Sequence, residues 1–228
     1  MGNLAERLQE EMEIKTAFTI PVFGGLEVKE SVVTTWFIIL GLFLLSLFLT
    51  KDMKTRNPGK RQIVAETIVT WLRGLVGGMV GEEGERYVTY LCSVLIYIGV
   101  ANILGIFSVS PPTKDLRVTV ALAVMSIVLI EAASFLAKGG KGFFKSFAEP
   151  VALVAPINVL ELFIKPLSLC MRLFGNVFAA FVIMELVKMA VPVVLPAALC
   201  LYFDLFDGLI QAYVFVFLTS LYLKEAIE

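Results

Sequence analysis

Five long apolar runs, separated by short polar loops, set the pattern of the chain. Residues 1–31 are polar and acidic (Glu6, Glu10, Glu11, Glu13), and Leu4, Leu8 and Met12 recur at a spacing that predicts a short, weakly amphipathic helix. Val32–Thr50 then supplies 19 residues without a charge, enough to cross a hydrocarbon core about 30 Å thick at about 1.5 Å per residue. After the basic loop Lys51–Arg61, residues 60–80 change character. Ile63, Ile68, Trp71, Leu72, Leu75 and Met79 keep helical spacing, while Glu66, Thr70 and Arg73 take the other face, which predicts a helix lying along the interface. Segments 87–110 and 118–137 read as the second and third spans, with Glu131 the one interruption in the third.

The last two runs, 150–190 and 192–224, are longer than a bilayer needs. Pro156 to Ala190 is 35 residues, or about 52 Å as a helix. Such segments must tilt, kink or leave the membrane, and Pro166 is a natural kink. With only a short turn near 191–195 between them, they predict a long, steeply tilted antiparallel hairpin. The expected fold is an all-α polytopic membrane protein, one membrane domain of five membrane-embedded helices plus the interfacial helix.

Composition agrees with this. The 228 residues are 58% hydrophobic and 17% charged, against about 25% charged in soluble domains. A net charge of −1 argues against a nucleic-acid partner, and the absence of histidine excludes histidine metal sites and proton relays. Cys92, Cys170 and Cys200 lie in apolar runs without metal-ligand spacing, so they are expected to be buried small hydrophobes. Neither a cofactor nor a metal is expected. No basic n-region opens the chain, so the first span is expected to direct insertion itself. Lys51, Lys54, Arg56, Lys60 and Arg61 in one loop and Lys138, Lys141 and Lys145 in another outweigh Lys114 and Arg117. The positive-inside rule then puts the N-terminus outside and the C-terminus in the cytoplasm.

Against this background the polar groups inside the hairpin stand out. Arg172 sits in mid-run, where a charge costs at least about 2.5–3.5 kcal/mol, and a guanidinium cannot escape by losing its proton. Glu161, Lys165, Ser168, Arg172, Asn176 and Ala179 fall in a sector of about 80° on a helix. Glu185 and Lys188, three apart and off that stripe, suit a local pair. In the last run Asp204, Gly208 and Gln211 share a face, with Asp207 beside them. The bland account is a buried structural pair between Arg172 and Asp204 or Glu161. A fixed cation flanked by hydratable groups fits ion movement better than enzymology, since no nucleophile–base pair or phosphate loop is present. Asn102 and Ser168 suit hydrogen bonds between helices, and Glu131 suits either a helix partner or a place on the path.

These residues resemble a known family. Pro156–Asn176, P-I-N-V-L-E-L-F-I-K-P-L-S-L-C-M-R-L-F-G-N, is similar to the signature of subunit a of the F-type ATP synthase membrane (Fo) sector, bacterial type. Gly208–Phe215, G-L-I-Q-A-Y-V-F, resembles the family's last helix, and Pro111–Ala123 its segment before the third span. The resemblance implies a non-catalytic stator subunit beside a rotating c-ring, held by the subunit b peripheral stalk in a lipid bilayer. Protons or sodium ions would pass through two offset half-channels, with Arg172 meeting each ring carboxylate and blocking direct leakage. Asn176 and Gln211 match polar positions near the arginine, and Glu161 matches the acid upstream. Three positions depart from the pattern, one of them Arg117, which follows Asp115 where many relatives have asparagine. Phe181 stands where many relatives carry an acid or histidine, and Asp204 where histidine, glutamate or glycine is common. Asp204 is therefore expected to take over uptake, with Asp207 or Glu185 as helpers and Ser168 on the path. A multi-pass protein of the bacterial plasma (inner) membrane is expected. The alternative is a secondary ion-coupled transporter, although no internal repeat is visible.

Overall fold

A computed structural model describes residues 16–20, 26–51, 53–54, 59–107, 111–146, 155–190 and 194–227. The helix expected around Leu4–Met12 lies outside these residues, as do residues 108–110, 150–154 and 192–193 of the expected spans. Within the N-terminal segment the structure adds an element that the apolar pattern did not predict. Thr16–Ile20 (β1) pairs antiparallel with Leu26–Lys29 (β2), Phe18 opposite Val28 and Thr19 opposite Glu27. Two runs this short, rich in β-branched and aromatic residues with Gly24-Gly25 between them in sequence, carry a hairpin signal that is easily lost beside long apolar runs.

β2 feeds directly into α1 (Glu30–Thr50), two residues longer at its start than the expected span. Only Ser31 and Ile38 of α1 are buried, and Trp36, Phe37, Phe43 and Leu47 point away from the protein. A helix apolar all round yet exposed all round suits lipid. The following basic loop is clamped by Gln62, whose side-chain amide accepts from Lys54 N at 2.9 Å and donates to Lys54 O at 3.1 Å. Beside it the Arg61 guanidinium lies 4.4 Å from the centre of the Phe48 ring.

α2 (Lys60–Val80) buries Ala65, Leu72, Val76 and Val80 and exposes Ile63, Ile68 and Trp71. The buried stripe therefore runs beside the one expected, sharing only Leu72 with it. Gly81 ends α2 at φ 81°, its N–H bonding Gly77 O at 3.0 Å, in a conformation that favours glycine. By length and composition α2 is one of six helices among the described residues able to cross a membrane. Those criteria alone do not set it apart as interfacial.

A 3₁₀ segment, Glu82–Tyr87, leads into α3 (Val88–Ile103), and another, Leu104–Phe107, follows it. α4 (Leu116–Ser146) outruns the expected 118–137, but Gly139, at φ 69°, breaks its helical path near the expected end. α5 (Ala155–Ala190) runs 36 residues with Pro166 inside it, as the length argument required. The last run is less regular than expected. α6 (Val194–Cys200) gives way to a π-helical turn, Leu201–Asp207, before α7 (Gly208–Ile227). Leu91, Ile98, Ile130, Leu169, Leu173, Phe215 and Leu223 are fully buried and join α3, α4, α5 and α7 into one core. Its α5 contribution fixes which side of that helix faces inward and which faces out.

Candidate ion-translocation site

α5 turns Leu169, Cys170 and Leu173 into the core, and this rotates Arg172 to the exposed side of the helix. Among the described residues Arg172 forms no ion pair. Glu161 is engaged by Lys165 at 3.6 Å, and Asp204 accepts a hydrogen bond from Cys200 Sγ at 2.8 Å. The structure thus removes the buried-pair account of the arginine. One turn on, Asn176 Nδ2 donates to Gln211 Oε1 at 2.6 Å, tying α5 to α7 next to the guanidinium's level. Gln211 is 3% exposed, and its Nε2 has no partner among the described residues. An orphaned buried donor costs about 1–3 kcal/mol unless an acceptor outside the chain meets it.

Toward the 111–117 turn the helices are locked by a layer of buried polar contacts. Asn102 Nδ2 donates to Gly208 O at 2.9 Å, and Thr113 Oγ1 donates to Asn102 Oδ1 at 2.7 Å. Asp115 caps α4 by accepting from Arg117 N at 2.9 Å, and its other oxygen accepts from Ser31 Oγ at 2.6 Å. Thr119 and Cys170, both buried, meet at 3.5 Å between α4 and α5. Asn102 thus makes the interhelical bond that its position implied. Ser168, half-buried, makes no side-chain hydrogen bond among the described residues.

Asp204 and Asp207 sit half-buried in the π turn on this same side. Phe181 is covered by Lys114, whose ammonium lies 3.4 Å from the ring centre. A cation–π contact therefore fills the position at which the family pattern has an acid or histidine. Glu185 accepts from Lys188 at 2.6 Å, the local pair expected from their spacing. At the opposite end of the hairpin Lys165 bridges Glu161 and Glu225, 3.6 and 3.4 Å away, and faces the Tyr222 ring at 5.4 Å. Sequence reasoning missed Lys114, Ser31 and Cys200 as participants. The i,i+4 spacing of Cys200 and Asp204 was the one signal available for any of them.

The helical fold and its buried polar groups define a polytopic membrane protein with an unmatched cation at the face of a long hairpin. The sequence matches the ATP synthase A chain family over residues 32–224. It is 38% identical over 219 residues to the sodium ion specific ATP synthase subunit a of Propionigenium modestum, covering 89% of this chain and 75% of that one. The ATP synthase subunit a of Moorella thermoacetica is 33% identical over 90% of this chain and 94% of its own. The chloroplastic subunit a of Stigeoclonium helveticum is 33% identical, over 90% and 87%. The chain belongs to the ATP synthase subunit a family, the non-catalytic membrane part of the Fo sector.

Proposed function

We propose that this chain is the ion-translocating stator subunit of an F-type ATP synthase and couples H+ or Na+ flow to rotation of the c-ring through two offset half-channels. One observation carries the reading: Arg172 lies mid-helix on the outward face of α5 and has no ion pair among the described residues. A guanidinium does not face hydrocarbon unpaired, so its counter-charge comes from a neighbouring chain, the carboxylate of a passing c subunit.

The polar groups divide by depth. Asp204 and Asp207, near the 111–117 turn, form the uptake side. Glu161 and Lys165, beside Glu225 near the C-terminus, form the release side. Arg172 is eleven positions from Glu161 along α5, about 16 Å of helix. Asn176 and Gln211 order the crossing next to the arginine. Ser168 lines α5 one turn toward the release side, and Glu185 has at most a supporting place beyond Phe181. The setting is a bacterial plasma membrane with the N-terminus outside, the C-terminus cytoplasmic, α2 along the interface and subunit b holding the stator.

The test is Arg172→Ala in the assembled complex, with ion-gradient-driven ATP synthesis and passive ion leak measured in sealed vesicles. Loss of synthesis with assembly intact is expected. Near-normal synthesis overturns the reading.

A further inference from the structure

We propose that Gly105 and Cys200 are positioning residues that seat the Asp204 carboxylate and thereby set how tightly the coupling ion is taken up. The inference rests on the assignment of Asp204 to the uptake side. Asp204 lies within the π-helical turn Leu201–Asp207, immediately after Cys200. A π turn adds a residue to the helical cycle and re-aims the side chains it carries, which is why such turns gather at functional sites. Here it leaves Cys200 Sγ 2.8 Å from Asp204 Oδ2, the thiol donating.

The second restraint comes from another part of the chain. The carboxylate lies against the backbone of Gly105, in the 3₁₀ segment that ends the α3 region. A Cβ at position 105 would stand 2.7 Å from both Cγ and Oδ1 of Asp204 and 3.1 Å from Oδ2. No alanine fits there without moving the carboxylate. Gly105 therefore serves by having no side chain, and the approach it permits brings the loop end of α3 onto the acid.

Together the two contacts hold Asp204 from two sides. A carboxylate fixed in one rotamer has already lost the side-chain freedom that an ion would otherwise have to freeze out. The thiol is a weak donor that occupies one of about four lone-pair sites on the carboxylate, so it orients the group and leaves acceptor capacity for an ion or its water. Cys200 also differs from Cys92 and Cys170 in the way this role requires: those two are buried, whereas Cys200 is half-exposed beside the acid.

The experiment compares Cys200→Ala, Cys200→Ser, Gly105→Ala and Asp204→Asn in the assembled complex in sealed vesicles. ATP synthesis is followed against the concentration of the coupling ion on the uptake side. Cys200→Ala is expected to raise the half-saturating concentration about 3- to 10-fold, the range for losing one hydrogen bond, with little change in maximal rate. Cys200→Ser keeps a donor and restores the wild-type value, and Gly105→Ala shifts it in the same direction as Cys200→Ala. Wild-type ion dependence in both Cys200→Ala and Gly105→Ala, with Asp204→Asn inactive, overturns the positioning role. A fall in maximal rate common to Cys200→Ala and Cys200→Ser, without a shift in half-saturation, makes Cys200 a packing residue and overturns it too. Unaltered synthesis in Asp204→Asn overturns instead the assignment of Asp204. If Gly105→Ala does not assemble, the Cys200 pair decides.

Discussion

Asn176 and Gln211 join α5 and α7 through a hydrogen bond of 2.6 Å, with the amide of Asn176 as donor. This bond fixes the Gln211 amide with its oxygen toward α5, which leaves Nε2 buried and unanswered by any described residue. Arg172 lies one turn away on the same helix. The hairpin is therefore pinned at the depth of its fixed charge, and the Gln211 amide is oriented by that pin.

The strength of the pin is measurable. Hydrogen bonds between transmembrane helices contribute about 0.6 kcal/mol on average and up to about 1.7 kcal/mol. A double-mutant cycle of Asn176→Ala and Gln211→Ala, read by denaturant unfolding in mixed micelles, is expected to give a coupling energy near about 1 kcal/mol. Additive effects of the two substitutions would mean that the bond does not hold the helices together.

Gly208 makes a second, independent prediction. A Cβ at this position would lie 2.8 Å from Asn102 Cβ, between α3 and α7. Gly208→Ala is expected to destabilise the protein by about 1–3 kcal/mol through overpacking and to lower its amount in the membrane. Asn102→Ala retains the offending Cβ and does not relieve the clash. Asn102→Gly relieves it but gives up the bonds to Gly208 O and Thr113, so recovery is partial. Thermal unfolding of the single and double variants checks the order. Full rescue by Asn102→Ala would contradict the geometry.

How much of this was legible depended on whether a feature was local. Arg172 could be read at once, because a permanent charge in an apolar run is anomalous whatever the fold. The same holds for the stripe from Glu161 to Asn176, which needs only helical periodicity, and for the hairpin, which needs only length. The Glu185–Lys188 pair followed from spacing three apart. Contacts that depend on chain folding were not legible. Ser31 and Asp115 are 84 positions apart in sequence, and nothing near Gly105 announces that a carboxylate will rest on its backbone. Phe181 was visible as a departure from the family pattern, but the Lys114 ammonium above its ring was not. The π turn also escaped, since its seven residues carry no glycine or proline to mark a change in helical geometry.

The Ser31–Asp115 bond carries the last prediction, on the path of α2. That bond places the start of α1 and the start of α4 on one side of the membrane. If α1 and α3 each cross once, residues 51–61 and 81–87 lie together on the other side, and α2 runs along the interface between them. If α2 crossed as well, α3 would return the chain to the wrong side, and a full bilayer of about 30 Å would separate Ser31 from Asp115. Charge points the same way: with α2 at the interface, Lys51–Arg61 and Lys138–Lys145 share a side, as the positive-inside rule prefers. Single cysteines at the exposed positions Lys54, Glu83 and Arg117, tested with a membrane-impermeant thiol reagent, separate the two paths. Lys54→Cys and Glu83→Cys are expected to be labelled from one side and Arg117→Cys from the other. Labelling of Lys54→Cys and Glu83→Cys from opposite sides, with Lys54→Cys sharing the side of Arg117→Cys, would make α2 a sixth span and break the shared side that the Ser31–Asp115 bond requires.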